Sequence, residues 1–331
     1  MNQSITLLSR PSGKPEISNF KFERESMPVA NEGEALLKTR FVSVDPYMRG
    51  RMNLSESYIP PFEIDEPIES GIVAEVISSA NPAFVAGDFV SGILKWKEYQ
   101  TSDGKELVKV DANKAPLSAY LGILGMTGLT AYLGLIKIGM PKYGETLVVS
   151  GAAGAVGSIV GQIGKILGCK VIGIVGTDEK ATLLTQKHGF DDALNYRTNV
   201  NLRASIYDMC PEGVDIYFDN VGGEISDAVM YNLNRFARVP LCGAISLYNA
   251  PEAGTGPRFE MMMVLKSILV QGFIYHNFSD HIPEALTKLE AWLAAGKMSY
   301  TETIIDGFQN LPSAFIDLFE GRNEGKMVVK I

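Results

Sequence analysis

The chain has 331 residues, 46% of them hydrophobic, which is enough to fill more than one core. A formal net charge of −8 and a pI near 5.1 argue against nucleic acid or an anionic membrane surface as partner, because either would repel the protein on average. The chain does not open on a basic stretch followed by an apolar one, and no uncharged apolar run reaches membrane-spanning length, so a soluble cytoplasmic protein is expected.

The N-terminal third reads as short β-rich runs, Glu34 to Val44, Gly71 to Ile77 and Val85 to Gly92, separated by Gly, Pro, Asn and Asp. That texture suits a small antiparallel barrel-like domain. Between Leu121 and Tyr132 it gives way to a glycine-rich helical segment, which marks the crossing into a second domain. Thr146 to Ser150 is an apolar β-rich run, and the turn after it carries Gly151, Gly154 and Gly157. Val156, Ile159, Val160, Ile163, Ile166 and Leu167 follow at three- and four-residue intervals, the period of a helix with one apolar face, and Gly168 ends it. Lys170 to Val175 supplies a second strand. Strand, glycine turn, helix and strand form a βαβ unit whose turn lets backbone N–H groups approach a dinucleotide pyrophosphate.

Where an NAD site usually carries Asp or Glu for the ribose hydroxyl, this chain has Gly176 and Thr177, and Lys180 follows in the first turn of the next helix. An ammonium there can neutralise a 2′-phosphate, so NADPH is expected over NADH, with Tyr196 and Arg197 as further contacts. Asp178 and Glu179 fit the positive end of the same helix. Further on, Val214 to Gly223, Val239 to Tyr248 and Ile268 to Ile274 read as strands with polar or glycine-rich ends, and Tyr275 follows the last. Asn220 either binds the cofactor or satisfies its own loop backbone. Alternation continues to about residue 296, with no tandem repeat or low-complexity stretch.

Cys169, Cys210 and Cys242 are isolated and lie in or beside apolar runs, where a thiol packs as a small hydrophobe in a reducing compartment. His188, His276 and His281 have no Cys or second His at ligand spacing, so no metal site is expected, and surface or capping roles are expected for all three.

The motifs Asp45-Pro-Tyr-Met-Arg-Gly-Arg51, Gly125 to Tyr132, Ala152 to Gly157, Phe218-Asp-Asn-Val-Gly-Gly223, Cys242-Gly-Ala-Ile-Ser246 and Gly321-Arg-Asn-Glu-Gly-Lys326 resemble, in order and over nearly the whole length, the zinc-independent medium-chain reductases of the leukotriene and prostaglandin reductase branch, and among them the bacterial curcumin reductases. The resemblance implies an α/β fold: a GroES-like β-barrel domain over residues 1–122, a Rossmann domain with a doubly wound parallel sheet over 123–296, and a C-terminal segment, 297–331, returning to the first domain. It further implies a homodimer. The Cys and Gly-His-Glu zinc ligands of related alcohol dehydrogenases have no counterpart at Ser43, Val44 or Glu69 to Gly71. By matching motifs, cofactor contacts fall on Ala153, Gly154, Ala155, Val156, Lys180, Tyr196, Asn220, Cys242, Gly243, Ala244, Ile245, Ser246, Tyr248, Phe273, Ile274, Tyr275 and Asn323.

The implied reaction is hydride transfer from NADPH to the β-carbon of an α,β-unsaturated ketone or aldehyde, with the same fold and cofactor also serving quinone reduction or a non-catalytic sensor. The developing oxyanion needs a protonated donor, and a tyrosine suits that role at neutral pH. Tyr248 leads, with Tyr47 and Tyr58 on loops of the first domain as competitors; mammalian and plant members carry a Tyr where this chain has Leu265. Tyr47, Met48, Tyr58 and Met126, with Met52, Pro60, Pro61 and Phe62, are expected to border a pocket for bulky or aromatic enones, and the Met261-Met262-Met263 run to fill core.

Overall fold

The computed structural model describes residues 1–252 and 254–331 and divides into two compact units. Residues 1–122, 302–323 and 327–331 form the first; residues 123–301 and 324–326 form the second. The first 122 residues contribute strands β1 (Asn2–Leu7), β2 (Phe20–Glu25), β3 (Ala35–Ser43), β4 (Glu69–Ser79), β5 (Phe89–Lys95), β6 (Tyr99–Ser102) and β7 (Val108–Val110), with a short helix α1 (Met48–Arg51). The next stretch alternates: α2 (Met126–Gly134), β8 (Thr146–Ser150), α3 (Gly157–Ile166), β9 (Lys170–Val175), α4 (Asp178–Lys187), β10 (Asp192–Asn195), α5 (Leu202–Met209), β11 (Val214–Phe218), α6 (Gly223–Met230), β12 (Leu233–Leu241), α7 (Glu260–Lys266), β13 (Leu269–Gly272) and α8 (Ile282–Ala294). The chain ends with β14 (Glu302–Asp306), α9 (Leu311–Leu318) and β15 (Lys326–Lys330).

In the first unit β15 pairs antiparallel with β3, β3 with β4, β4 with β5 and β5 with β7, so a sheet is completed by the last residues of the chain. Its core gathers Ile5, Leu37, Ile72 and Trp96 with Phe308, Leu311, Phe315 and Val329. Trp96 is fully buried, and its indole N–H donates to Ser70 Oγ at 2.9 Å, which satisfies the one polar atom of that side chain.

The second unit holds a six-stranded sheet in the order β10-β9-β8-β11-β12-β13, parallel throughout. Counted from β8 this is the doubly wound order 3-2-1-4-5-6, whose direction reverses between β8 and β11; ligands of open parallel sheets bind outside the strand ends at such a reversal. The apolar run Thr146–Ser150 is buried at every position because helices cover both faces of the sheet. Helix α3 buries Ile159, Val160 and Ile163, as its spacing requires, and Gly168 follows with φ +84°.

Residues 297–301 stay with the second unit rather than opening the C-terminal return. Buried Gln162 of α3 holds them: its Oε1 accepts from Ser299 N at 2.8 Å and its Nε2 donates to Ser299 O at 2.9 Å. The methionine run also departs from expectation. Met262 and Met263 pack against the second unit's core, but Met261 is 70% exposed, because a helix turns adjacent residues to different faces.

Candidate cofactor and active site

The glycine turn leaves β8 at Gly151, which adopts φ +57°. Ala152 N donates to Ile174 O of β9 at 3.1 Å, so the turn is pinned to the neighbouring strand before it opens. Gly157 allows the helix to start against the turn, since a Cβ there would lie 2.5 Å from Gly151 O and 2.8 Å from Ala152 Cα. Such a cradle admits only backbone, and it fits a pyrophosphate held by amides at a helix start. The first bonds of the α3 ladder run from Ser158 N to Gly154 O at 3.1 Å and from Val160 N to Val156 O at 3.0 Å, which leaves the amides preceding Ser158 at the open positive end. Gly154 differs from the simple donor reading. Its N–H turns inward to Gly151 O at 2.9 Å, so it shapes the turn while Ala155 and Val156 stand at the helix entry.

At the end of β9 the predicted 2′-phosphate residues meet. A Cβ on Gly176 would lie 3.3 Å from the Tyr196 ring and hydroxyl and 3.4 Å from Arg197 Nε, so both side chains lean on this glycine. Thr177 caps α4, its Oγ1 accepting from Lys180 N at 3.3 Å. Burial holds the Lys180 ammonium below its ordinary pKa; Glu324 raises it and Arg197 lowers it further. Two cations, Lys180 and Arg197, thus stand at one small-residue strand end, with the Glu324 carboxylate acting on Lys180.

The other side of the reversal is built on Asp219, 1% exposed. Its Oδ1 accepts from Ser150 Oγ at 2.9 Å, Tyr217 OH at 2.8 Å, Val221 N at 2.9 Å and Gly222 N at 3.0 Å, and its carbonyl accepts from Cys242 N at 2.8 Å and Gly243 N at 3.2 Å. The Tyr217 hydroxyl, fully buried beside that carboxylate, is held well above its ordinary pKa by burial first and Asp219 second. Asn220 donates its side-chain amide to Ser150 O at 2.7 Å, across to β8 rather than to its own loop. The loop after β12 is laced to the one after β11: Ile245 N donates to Asn220 O at 3.3 Å, and Ser246 Oγ donates to Val221 O at 2.6 Å.

Tyr248 follows a short 3₁₀ turn, Ile245–Leu247, and its hydroxyl oxygen accepts from Ala244 N at 3.3 Å. Burial raises its pKa, so it stays protonated. Phe273 is buried against Phe218, ring centroids 6.1 Å apart, and against Gly134 of α2, where a Cβ would collide with the ring. Its side chain is core, so a cofactor contact at Phe273 falls to the backbone. Ile274 N donates to Asn277 Oδ1 at 2.9 Å, and the Tyr275 ring lies tilted against His276 with centroids 3.9 Å apart.

The proposed pocket residues divide. Tyr47, Met48 and Tyr58 belong to the first unit, Met126 to the second. Met48, Met52 and Phe62 are at most 4% exposed and sit in the first unit's core, so these side chains fill core as most methionines do. Tyr47 packs partly on that core, Tyr58 is 64% exposed, and Met126 opens α2 half-buried. Asn323 is the half-buried last residue of its first-unit segment. His188 takes the capping rather than the surface role: it caps α4 and is 4% exposed, with Nδ1 3.3 Å from Ser299 Oγ and Nε2 3.3 Å from Thr301 Oγ1. Among the described residues no group of three or more His, Cys, Asp or Glu is placed to hold a metal ion.

Two family profiles match the chain: one described as the N-terminal domain of oxidoreductase, over residues 3–110, and one as zinc-binding dehydrogenase, over residues 155–291. YfmJ of Bacillus subtilis (strain 168) is 52% identical over 99% of this chain and 97% of its own. The NADPH-dependent curcumin reductase of Escherichia coli (strain K12) is 43% identical over 100% of this chain and 97% of its own. The chain belongs to the medium-chain dehydrogenase/reductases, in the leukotriene and prostaglandin reductase branch. The crystal structure of CurA from Vibrio vulnificus in complex with NADPH superposes on this member of the family with a TM-score of 0.95 at 43% identity, covering 99% of this chain and 98% of that one.

Proposed function

We propose that this protein is an NADPH-dependent ene-reductase that saturates carbon–carbon double bonds conjugated to a ketone or aldehyde, curcumin-like enones included. NADPH is its coenzyme, and when bound supplies hydride for the β-carbon of the substrate. The observation that carries the reading is full-length kinship with an NADPH-dependent curcumin reductase coinciding with a glycine cradle at the sheet reversal.

The chain's own residues divide the remaining work. The amides of Ala155 and Val156 hold the pyrophosphate. Lys180, Arg197 and Tyr196 receive the 2′-phosphate. The loop from Cys242 to Tyr248, tied to Asp219, borders the reducing end. Tyr248 donates a hydrogen bond to the substrate oxygen as charge collects there. What supports this choice is that its oxygen already accepts from Ala244 N, so its proton is available to give, and burial keeps it protonated. Tyr47, the second candidate, lies on the first unit.

The reading includes a cytoplasmic homodimer. Three free cysteines support a reducing compartment, and among the described residues no helix is long and apolar enough to cross a membrane. β13 ends the second unit's sheet as an edge strand, and α7 beside it exposes Met261, Val264 and Leu265 at 70–74%, a surface suited to a second copy.

The decisive experiment is NADPH oxidation with enones, quinones and no acceptor, with product identification. A saturated ketone formed stoichiometrically with NADPH consumed is the expected result. Turnover of quinones alone would make this a quinone reductase, and tight NADPH binding with no turnover at all a nucleotide sensor.

A further inference from the structure

The second unit includes two short segments, residues 299–301 and 324–326, whose bonds around the glycine turn the cofactor reading leaves unused. Gly325 forms a parallel bridge with Gly154, and its N–H donates to Ala153 O at 2.8 Å, so a residue near the C-terminus bonds directly to the glycine turn. Gly325 adopts φ +61°, and a Cβ there would land on the Thr301 carbonyl, so no other residue fits without displacement. Thr301 O in turn accepts from Lys326 N at 2.9 Å. The Thr301 hydroxyl is held by His188 Nε2 at 3.3 Å and by Lys187 Nζ at 3.1 Å, and Ser299 is held twice by Gln162 of α3. These bonds close a ring: glycine turn, Gly325, Thr301, the end of α4, and the helix that begins at the turn itself.

We infer that Gly325 is a positioning residue for the pyrophosphate turn, fixing the Ala153–Gly154 peptide plane through its N–H, and that Thr301, clamped by His188, holds Gly325 in place. The inference rests on the cofactor reading above. Thr301 and Glu324–Lys326 are also the points at which the chain passes from one unit to the other.

The test is equilibrium titration of the full chain with NADPH and with NADH, followed by intrinsic fluorescence at a temperature where each apo variant is fully folded. Thr301→Val keeps the carbonyl and the volume but loses both hydroxyl bonds, and weakens binding by about 2–10-fold. Gly325→Ala weakens it by about tenfold or more. Both lose the same factor for the two coenzymes, because the turn touches the pyrophosphate they share. If Gly325→Ala does not fold, Thr301→Val carries the test. Wild-type affinity in a folded variant, or a loss confined to NADPH, overturns the inference and leaves the cofactor reading standing. A wild-type chain that takes up neither coenzyme removes both.

Discussion

Ser150 at the end of β8 and Asp219 just past the end of β11 meet across the sheet reversal, the hydroxyl donating to Oδ1 at 2.9 Å while its oxygen accepts from Asn220 N at 2.9 Å. One side chain therefore joins β8, which leads into the glycine turn, to the loop after β11, proposed to support the reducing end. Ser150→Ala removes a donor and an acceptor from a fully buried pair and lowers unfolding stability by about 1–3 kcal/mol in urea titration. A loss below a few tenths of a kcal/mol would show that the carboxylate is satisfied without it.

Gly157→Ala places a methyl 2.5 Å from Gly151 O, where the neighbour is backbone and cannot swing aside. The turn must open, and NADPH affinity falls by about tenfold or more in a binding titration. Wild-type affinity in this variant would mean that the coenzyme does not sit on the turn.

Lys180→Ala removes the ammonium beside Arg197. Loss of one charge-assisted contact weakens NADPH by about 10–100-fold and leaves NADH nearly unchanged. Parallel titrations with the two coenzymes measure the difference, and an equal loss for both would move the 2′-phosphate elsewhere.

Tyr248→Phe keeps the ring and removes the donor. At saturating NADPH, kcat with an enone falls by about 100-fold while coenzyme affinity holds. Unchanged turnover transfers the role to Tyr47, whose Phe variant then shows the loss.

His188 supplies a pH dependence. Burial, with Lys187 beside it, lowers its pKa from 6.5 to about 4, so the unfolded chain takes up this proton before the folded chain does. Stability therefore declines as pH falls from about 6.5 toward 4, by up to roughly 3 kcal/mol from this group. Chemical denaturation at several pH values, compared with His188→Asn, should show the variant flatter across that window; identical slopes would assign the decline to other groups.

The βαβ unit at the cofactor turn was legible because each signal lies within a few residues of the next: an apolar strand, Gly151 through Gly157, and the α3 period all act locally. The bond from Gly325 to Ala153 was not, since it joins residues far apart in the chain and Gly325 shows only as one residue of the Gly321–Lys326 motif, with no sign of what it touches. Met48 and Met52 illustrate a second limit. A thioether suits a pocket or a core equally, and only packing decides between them; here both are 1% exposed. The burial of His188, which caps α4 as one of the expected roles allowed, was missed for the same reason, because a lone imidazole near a helix end gives no sign that Ser299 and Thr301 will cover it.

Cys242 stands on the loop proposed to border the reducing end, and the proposed enone substrates are soft electrophiles that thiolates attack. Although the residue keeps some surface, burial and the nearby Asp219 push its thiol up to about 12. At neutral pH the thiol is held as SH, the form least suited to attack the Michael acceptors that the proposed reaction would bring to this loop.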